Sequence, residues 1–181
     1  MKTAFKLQTE WLRRFHLESP FYAAALLLGI YACNKALSES NPNDYLVNID
    51  RNGVIIDGYD PVAFFTENKP VKGNPQINTK YNHATYYFST DENRRTFEQH
   101  PSKYEPQFGG FCAYAVSLGR TAPIDVHTFS IVEGRLVIQH NEKAVKGWEQ
   151  DPVGNLHKAD KYWPRVVANN GKQIKTDEDA D

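Results

Sequence analysis

The sequence predicts a small α+β domain with short antiparallel strands, hairpins and several short helices, preceded by an N-terminal signal or anchor helix. Three observations carry this. Two strand-like runs, Thr128–Val132 and Arg135–Gln139, flank Glu133-Gly134, a two-residue hairpin signal. Asp60-Pro61, and Ser89 with Glu92, are helix-start signals ahead of short apolar stretches. Nothing alternates strand and helix regularly enough for a doubly wound sheet. Composition agrees: 181 residues, 40% hydrophobic and 13% aromatic, suit one globular domain with a real core. They exclude a coiled coil, a collagen-like chain and a wholly disordered one. A net charge of −1 argues against a nucleic-acid partner, and two cysteines are too few for a disulfide framework.

In chain order, residues 1–32 read as a signal peptide. Lys2, Lys6, Arg13 and Arg14 outweigh Glu10 and Glu18, and an apolar run follows from Phe21 to Ala32. That run makes about 18 Å of helix, short of the ~30 Å hydrocarbon core of a bilayer. A buried amphipathic helix is the alternative, but AAALLLGI has no polar face. Ile30-Tyr31-Ala32-Cys33 resembles a bacterial lipobox, which makes Cys33 the lipidation candidate; Tyr31 is bulkier than the usual residue there. Ordinary secretion and an uncleaved anchor are the other outcomes. Residues 33–44 read as a polar tether, 45–167 as the folded domain and 168–181 as a flexible acidic tail.

Within the domain, Tyr45–Ile49 is strand-like. Asp60 as N-cap and Pro61 at the first helical position open a short helix over PVAFFTE. A Pro/Gly/Asn-rich loop is expected from Asn68 to Asn78, then a strand over Thr85–Ser89. Ser89 and Glu92 form a capping box for a helix carrying Phe97. Phe108–Leu118 is too apolar for a surface loop and reads as a buried turn and helix stopped by Gly119. In the hairpin, Phe129, Ile131, Leu136 and Ile138 are expected to point inward. Helices near 142–150 and 153–162 complete the domain, with Trp148 and Trp163 as core anchors.

The pieces DGYDPVAFF (57–65), KYNHATYYFST (80–90) and FEQHPSKY (97–104) resemble the YHS domain family. The continuation FGGFCAYAVSLG, the hairpin, and the KGWEQD and ADKYWP elements resemble a longer secreted subgroup of it. The resemblance covers about residues 45–166 and implies an association with heavy-metal handling. Metal-associated members carry Cys at places that here hold Ala63, Ser89 and Asn93, which are poor substitutes for thiolate. What remains is Cys112, a recurring Cys in the longer subgroup, where redox or soft-metal work is implied. Two preceding glycines and a helix start would favour a thiolate, whereas a lone Cys between Phe and Ala is more often a small buried hydrophobe.

If Glu133-Gly134 is the turn, His127 faces His140, and with Cys112 these form a candidate copper or zinc site. The alternative is two exposed strand-end residues. Tyr59, His83 and Tyr114 are candidate ligand-binding residues. Tyr86 and Tyr87 share the aromatic lining or core with them, and His83 equally suits a turn. The expected function is a YHS-type accessory or binding protein of the bacterial cell envelope, on the periplasmic or surface side. It would be membrane-anchored, would meet a protein partner there, and would engage a soft metal or small ligand near Cys112. A thiol-dependent redox protein using Cys112 and a purely structural or interaction module are the alternatives.

Overall fold

A computed structural model describes residues 45–179, which form a small α+β domain with two antiparallel hairpins and several short helices. The strands are β1 (Asn74–Tyr81), β2 (Ala84–Phe88), β3 (Phe129–Val132) and β4 (Arg135–Ile138). The helices are α1 (Ala63–Thr66), α2 (Asp91–Gln99), α3 (Pro101–Tyr104), α4 (Ala113–Ser117), α5 (Glu142–Trp148) and α6 (Pro152–Ala168). The signal segment and Cys33 lie outside the described residues.

The second hairpin follows its sequence register. Phe129 pairs with Ile138, Ser130 with Val137, Ile131 with Leu136 and Val132 with Arg135. Glu133 (φ 51°) and Gly134 (φ 73°) supply the two left-handed residues of the turn. The simple inward–outward alternation does not hold, because β4 is buried on both faces. Leu136 and Ile138 enter a core with Phe64, Phe88 and Phe97, while Val137 enters a second core with Trp148, Leu156 and Val116. Ile131, opposite Leu136 on the outer strand, is 37% exposed.

Tyr45–Ile49 is not a strand. The Asp50–Gly53 turn, in which the Asp50 carboxylate accepts from Asn52 N–H and Val54 N–H, reverses the chain. Only the single Ile49–Ile55 bridge forms between its arms. Asn48 is instead stitched to the Phe108–Gly110 turn: its N–H donates to Gly109 O (2.8 Å) and its Nδ2 to Gly110 O (2.9 Å). Gly109 is required there twice over. Its φ is +59°, and a Cβ would lie 2.0 Å from Leu46 O.

The expected loop at 68–78 becomes strand from Asn74. β1 is an exposed edge with an irregularity between Asn74 and Asn78, where Pro75 withholds no bond the sheet needs. Two further boundaries differ from the sequence reading. Thr90, not Ser89, caps α2, its Oγ1 accepting from Asn93 N–H. The last helix runs to Ala168 through Pro164, because the buried face of Leu156, Ala159, Tyr162 and Val166 continues at helical spacing past the proline. The stretch after it, expected as a flexible tail, is bonded to the domain. Thr121 N–H donates to Gly171 O, Ile174 N–H to Gly119 O and Gln173 Nε2 to Leu118 O, while Lys161 pairs with Asp177.

Ser89 is drawn away from capping by Asp60, which is fully buried. Asp60 Oδ1 accepts from Val62 N–H (2.9 Å) and, at longer range, Ala63 N–H (3.4 Å), but α1 begins only at Ala63, with Val62 and not Asp60 as its N-cap, so the expected start at Pro61 moves two residues on. Oδ2 accepts from Ser89 N–H (2.8 Å), Ser89 Oγ (2.7 Å) and Asn93 Nδ2 (2.7 Å). One carboxylate thus joins α1, the end of β2 and α2. Asp60→Ala strands these donors together, and hydrogen bonds to charged groups are individually worth about 1.5–3 kcal/mol. The variant is expected to lose about 3 kcal/mol or more of stability, read from the urea unfolding midpoint.

Candidate functional site

The site is built from the end of β4. Beyond the Phe129–Ile138 pair the Thr128 side chain joins the ladder, while Gln139 O still accepts from Asp125 N–H (2.8 Å). Thr128 Oγ1 accepts from Gln139 N–H (3.1 Å) and lies 2.7 Å from Gln139 O. Gln139 is 1% exposed, and its side chain reaches under the start of α4. There its Oε1 accepts from Tyr114 N–H (2.9 Å) and from the Cys112 thiol (3.5 Å). With both donors on the oxygen side, the amide orientation is fixed, and Nε2 faces away from them.

Nε2 has no partner. The buried side-chain polar atoms without a hydrogen bond among the described residues are Ser130 Oγ, Gln139 Nε2 and Trp148 Nε1. All three residues line one cavity of about 350 Å³ between the second hairpin and α5. Phe129 contributes an apolar wall, and the exposed His127 and Glu149 stand at the rim; among the described residues no lysine or arginine lines it. Leaving a buried polar atom unpaired costs roughly 1–3 kcal/mol. The three residues line the cavity, while their unpaired atoms are themselves enclosed.

A second cavity, about 260 Å³, is lined in part by Asn82, Glu105, Gln107, Arg135 and Asp160. Its polar groups already serve each other. Arg135 makes a forked pair with Asp160 and also donates to Gln107 Oε1, and Asn82 donates to Glu105. It presents far less unmet demand than the first.

Among residues predicted from sequence, Cys112 sits beside the first cavity, joined to it through Gln139. It is 1% exposed. Burial pushes its thiol up, outweighing the backbone N–H groups of Ala115, His140 and Tyr114 and the charge of Arg120, which act in the opposite sense. His127 and His140 leave the ladder, because the chain turns at Val126–Thr128 with Asp125 Oδ1 accepting from His127 N–H. The His127 ring meets Tyr59 edge-on at 6.1 Å, and the His140 side chain is exposed. No group of three or more His, Cys, Asp or Glu among the described residues is placed to hold a metal ion. Around the sulfur lie Gln139 Oε1, which accepts from it, and the backbone N–H groups of Ala115, His140 and Tyr114.

Tyr59, His83 and Tyr114 are not gathered at either cavity. Tyr59 lies under Lys72 Nζ (4.5 Å), and Tyr114 fills the space left by Gly147 between α4 and α5. His83, at φ 64°, forms the β1–β2 turn with Asn82 and leans on Tyr45. Sequence reasoning missed Ser130 and Gln139. A glutamine ending the apolar run Leu136-Val137-Ile138 is the one signal that could have found them.

Comparison with protein-family models, with curated proteins and with solved structures finds no match to this chain. The site therefore rests on its own geometry.

Two outcomes are expected here. Cys112 in the folded chain should react with iodoacetamide far more slowly than after unfolding, read by mass spectrometry of the alkylated peptide. Glu105 is held above its ordinary value of 4.5, first by desolvation, with the Asn82 bond acting against it. A carboxyl raised in the folded state favours folding below that ordinary value and loses this contribution as pH rises through the folded value. Urea titrations should therefore show Glu105→Gln gaining stability relative to the parent as pH rises above 4.5.

Proposed function

We propose that this chain is a tethered binding module: an accessory protein of the bacterial cell envelope, built on a YHS-type domain, that takes a small ligand in the cavity floored by Gln139. The single observation carrying the binding site is that Ser130, Gln139 and Trp148, each with an unpaired buried polar atom, line the same cavity. Binding is favoured over thiol chemistry at Cys112 because the sulfur is sealed and held as a thiol that donates to Gln139. In this reading Cys112 and Tyr114 hold the Gln139 amide that backs the cavity.

The YHS reading is supported by the placement of its motifs. Ser89 and Asn93, where metal-associated relatives would carry Cys, both donate to the Asp60 carboxylate, and the Ala63 N–H lies at its other oxygen. A hydrogen-bonded carboxylate thus occupies the place of a thiolate set, which moves the function away from metal handling. Attachment would come from lipidation at Cys33 or from an uncleaved leader, as the sequence pattern suggests.

The test uses the full chain recovered from cell membranes, with Cys33→Ala expected to shift it to the soluble fraction. Denaturing the purified chain should release a small molecule detectable by mass spectrometry. Ser130→Leu, which fills the cavity, should release none. Identical release from both proteins would remove the cavity as the binding site.

A further inference from the structure

The second cavity, about 260 Å³, pairs most of its polar groups with each other, and what it leaves over is charge. We propose that it is a binding site, separate from the cavity at Gln139, for a small organic cation of the primary ammonium class, held at Glu105 and packed on aromatic side chains.

The charge count comes first. Among the described residues, the charged side chains lining this cavity are Glu105, Arg135 and Asp160. Arg135 is already engaged: its fork holds Asp160 (2.7 and 2.8 Å) and its remaining edge donates to Gln107 Oε1. Glu105 has only a neutral partner, since its Oε2 accepts from Asn82 Nδ2 (3.1 Å). Desolvation pushes its carboxyl up against that bond, and no described cation is near enough to act on it. The lining thus sets two carboxylates against one guanidinium.

Access comes second. Glu105 Oε1 and the Tyr86 hydroxyl make no hydrogen bond to another described residue. Tyr86 is 2% exposed and Glu105 is half-buried, yet neither atom is among the enclosed unpaired atoms, which belong to Ser130, Gln139 and Trp148. Both oxygens therefore meet open space, and for the otherwise enclosed Tyr86 that space is the cavity it lines. Desolvation and then the charge of Glu105 hold the Tyr86 hydroxyl above its ordinary value, so the two groups are neighbours. A carboxylate accepts only, and a hydroxyl can accept, which suits the N–H groups of an ammonium. Gln107 Nε2 is a neutral donor and does not offset the charge.

The rest of the lining fits the same guest. Tyr45, Tyr86 and Trp163 contribute aromatic surface, which attracts a cation and also covers a short hydrocarbon body. An anion would meet Glu105 with Arg135 already committed to Asp160. A neutral guest would bury the Glu105 carboxylate further without a counter-charge.

The experiment uses the full chain, ¹⁵N-labelled at tryptophan, in mild detergent at a pH where carboxylates are ionised and alkylamines protonated. The probes are n-butylammonium, its neutral isostere 1-butanol, and butyrate. The readout is the Trp163 indole N–H resonance, assigned with Trp163→Phe. The Trp148 resonance, assigned with Trp148→Phe, reports on the other cavity and on folding. Butylammonium should shift the Trp163 resonance saturably, and 1-butanol and butyrate should each bind about tenfold more weakly or worse. Glu105→Gln, the variant expected above to gain stability as pH rises, should weaken butylammonium about tenfold and leave the response to 1-butanol unchanged.

Equal binding of butylammonium and 1-butanol would overturn the cation site, as would a Trp163 resonance that butylammonium leaves unmoved. Undiminished butylammonium affinity in Glu105→Gln would do the same. A shift confined to Trp148 would put the cation in the Gln139 cavity and overturn the assignment to this one. The three-probe comparison on the unaltered chain decides the matter even if the variant does not fold.

Discussion

The domain depends on an acid buried with no cation beside it among the described residues. Asp60 is fully enclosed, and its two oxygens take all their compensation from neutral donors on three separate elements. Burying a carboxylate is tolerable only when its lone pairs are filled. The requirement fixes how far the start of α1 stands from the end of β2, and how α2 leaves that strand. Phe64, Phe88 and Phe97, one from each of these elements, are the three largest wholly buried side chains, so the first core is assembled around the same junction.

From that core the constraint passes to β4. Its alternate residues belong to different cores, Leu136 and Ile138 to one and Val137 to the other, so the strand cannot slide without disrupting both. Gln139 is the next residue, and its position is inherited from this locked register. The amide is then clamped by Tyr114 N–H and the Cys112 thiol. A side chain held by two donors in this way has little conformational freedom left to lose.

What the sequence disclosed and what it hid divide along the range of the interactions. The hairpin about Glu133-Gly134, strand β2 and the buried turn-and-helix after Phe108 are set by neighbouring residues, and they appear as read. The local pattern assigns the cap of α2 to Ser89 wrongly, because its competitor, Asp60, lies 29 positions away. It also ends α6 too early, because Pro164 is a strong local stop signal, overruled by burial of Val166. The inward face of the hairpin is only half legible, since the three-dimensional arrangement alone reveals a second core behind Val137. At the site, Cys112 stands out in the sequence as a reactive type of residue, but the polar groups left unpaired are on Ser130, Gln139 and Trp148. No motif marks an unpaired group, since its significance lies in what fails to reach it.

The stitching of Asn48 to the Phe108–Gly110 turn bears on mechanics. A pull transmitted along the backbone from ahead of residue 45 meets the two Asn48 bonds to Gly109 and Gly110 before it reaches any strand. Those bonds are anchored on a turn remote in sequence from Ser130 and Gln139, so they act as strain relief. A force at that end would part these two bonds before it reached β3 or β4.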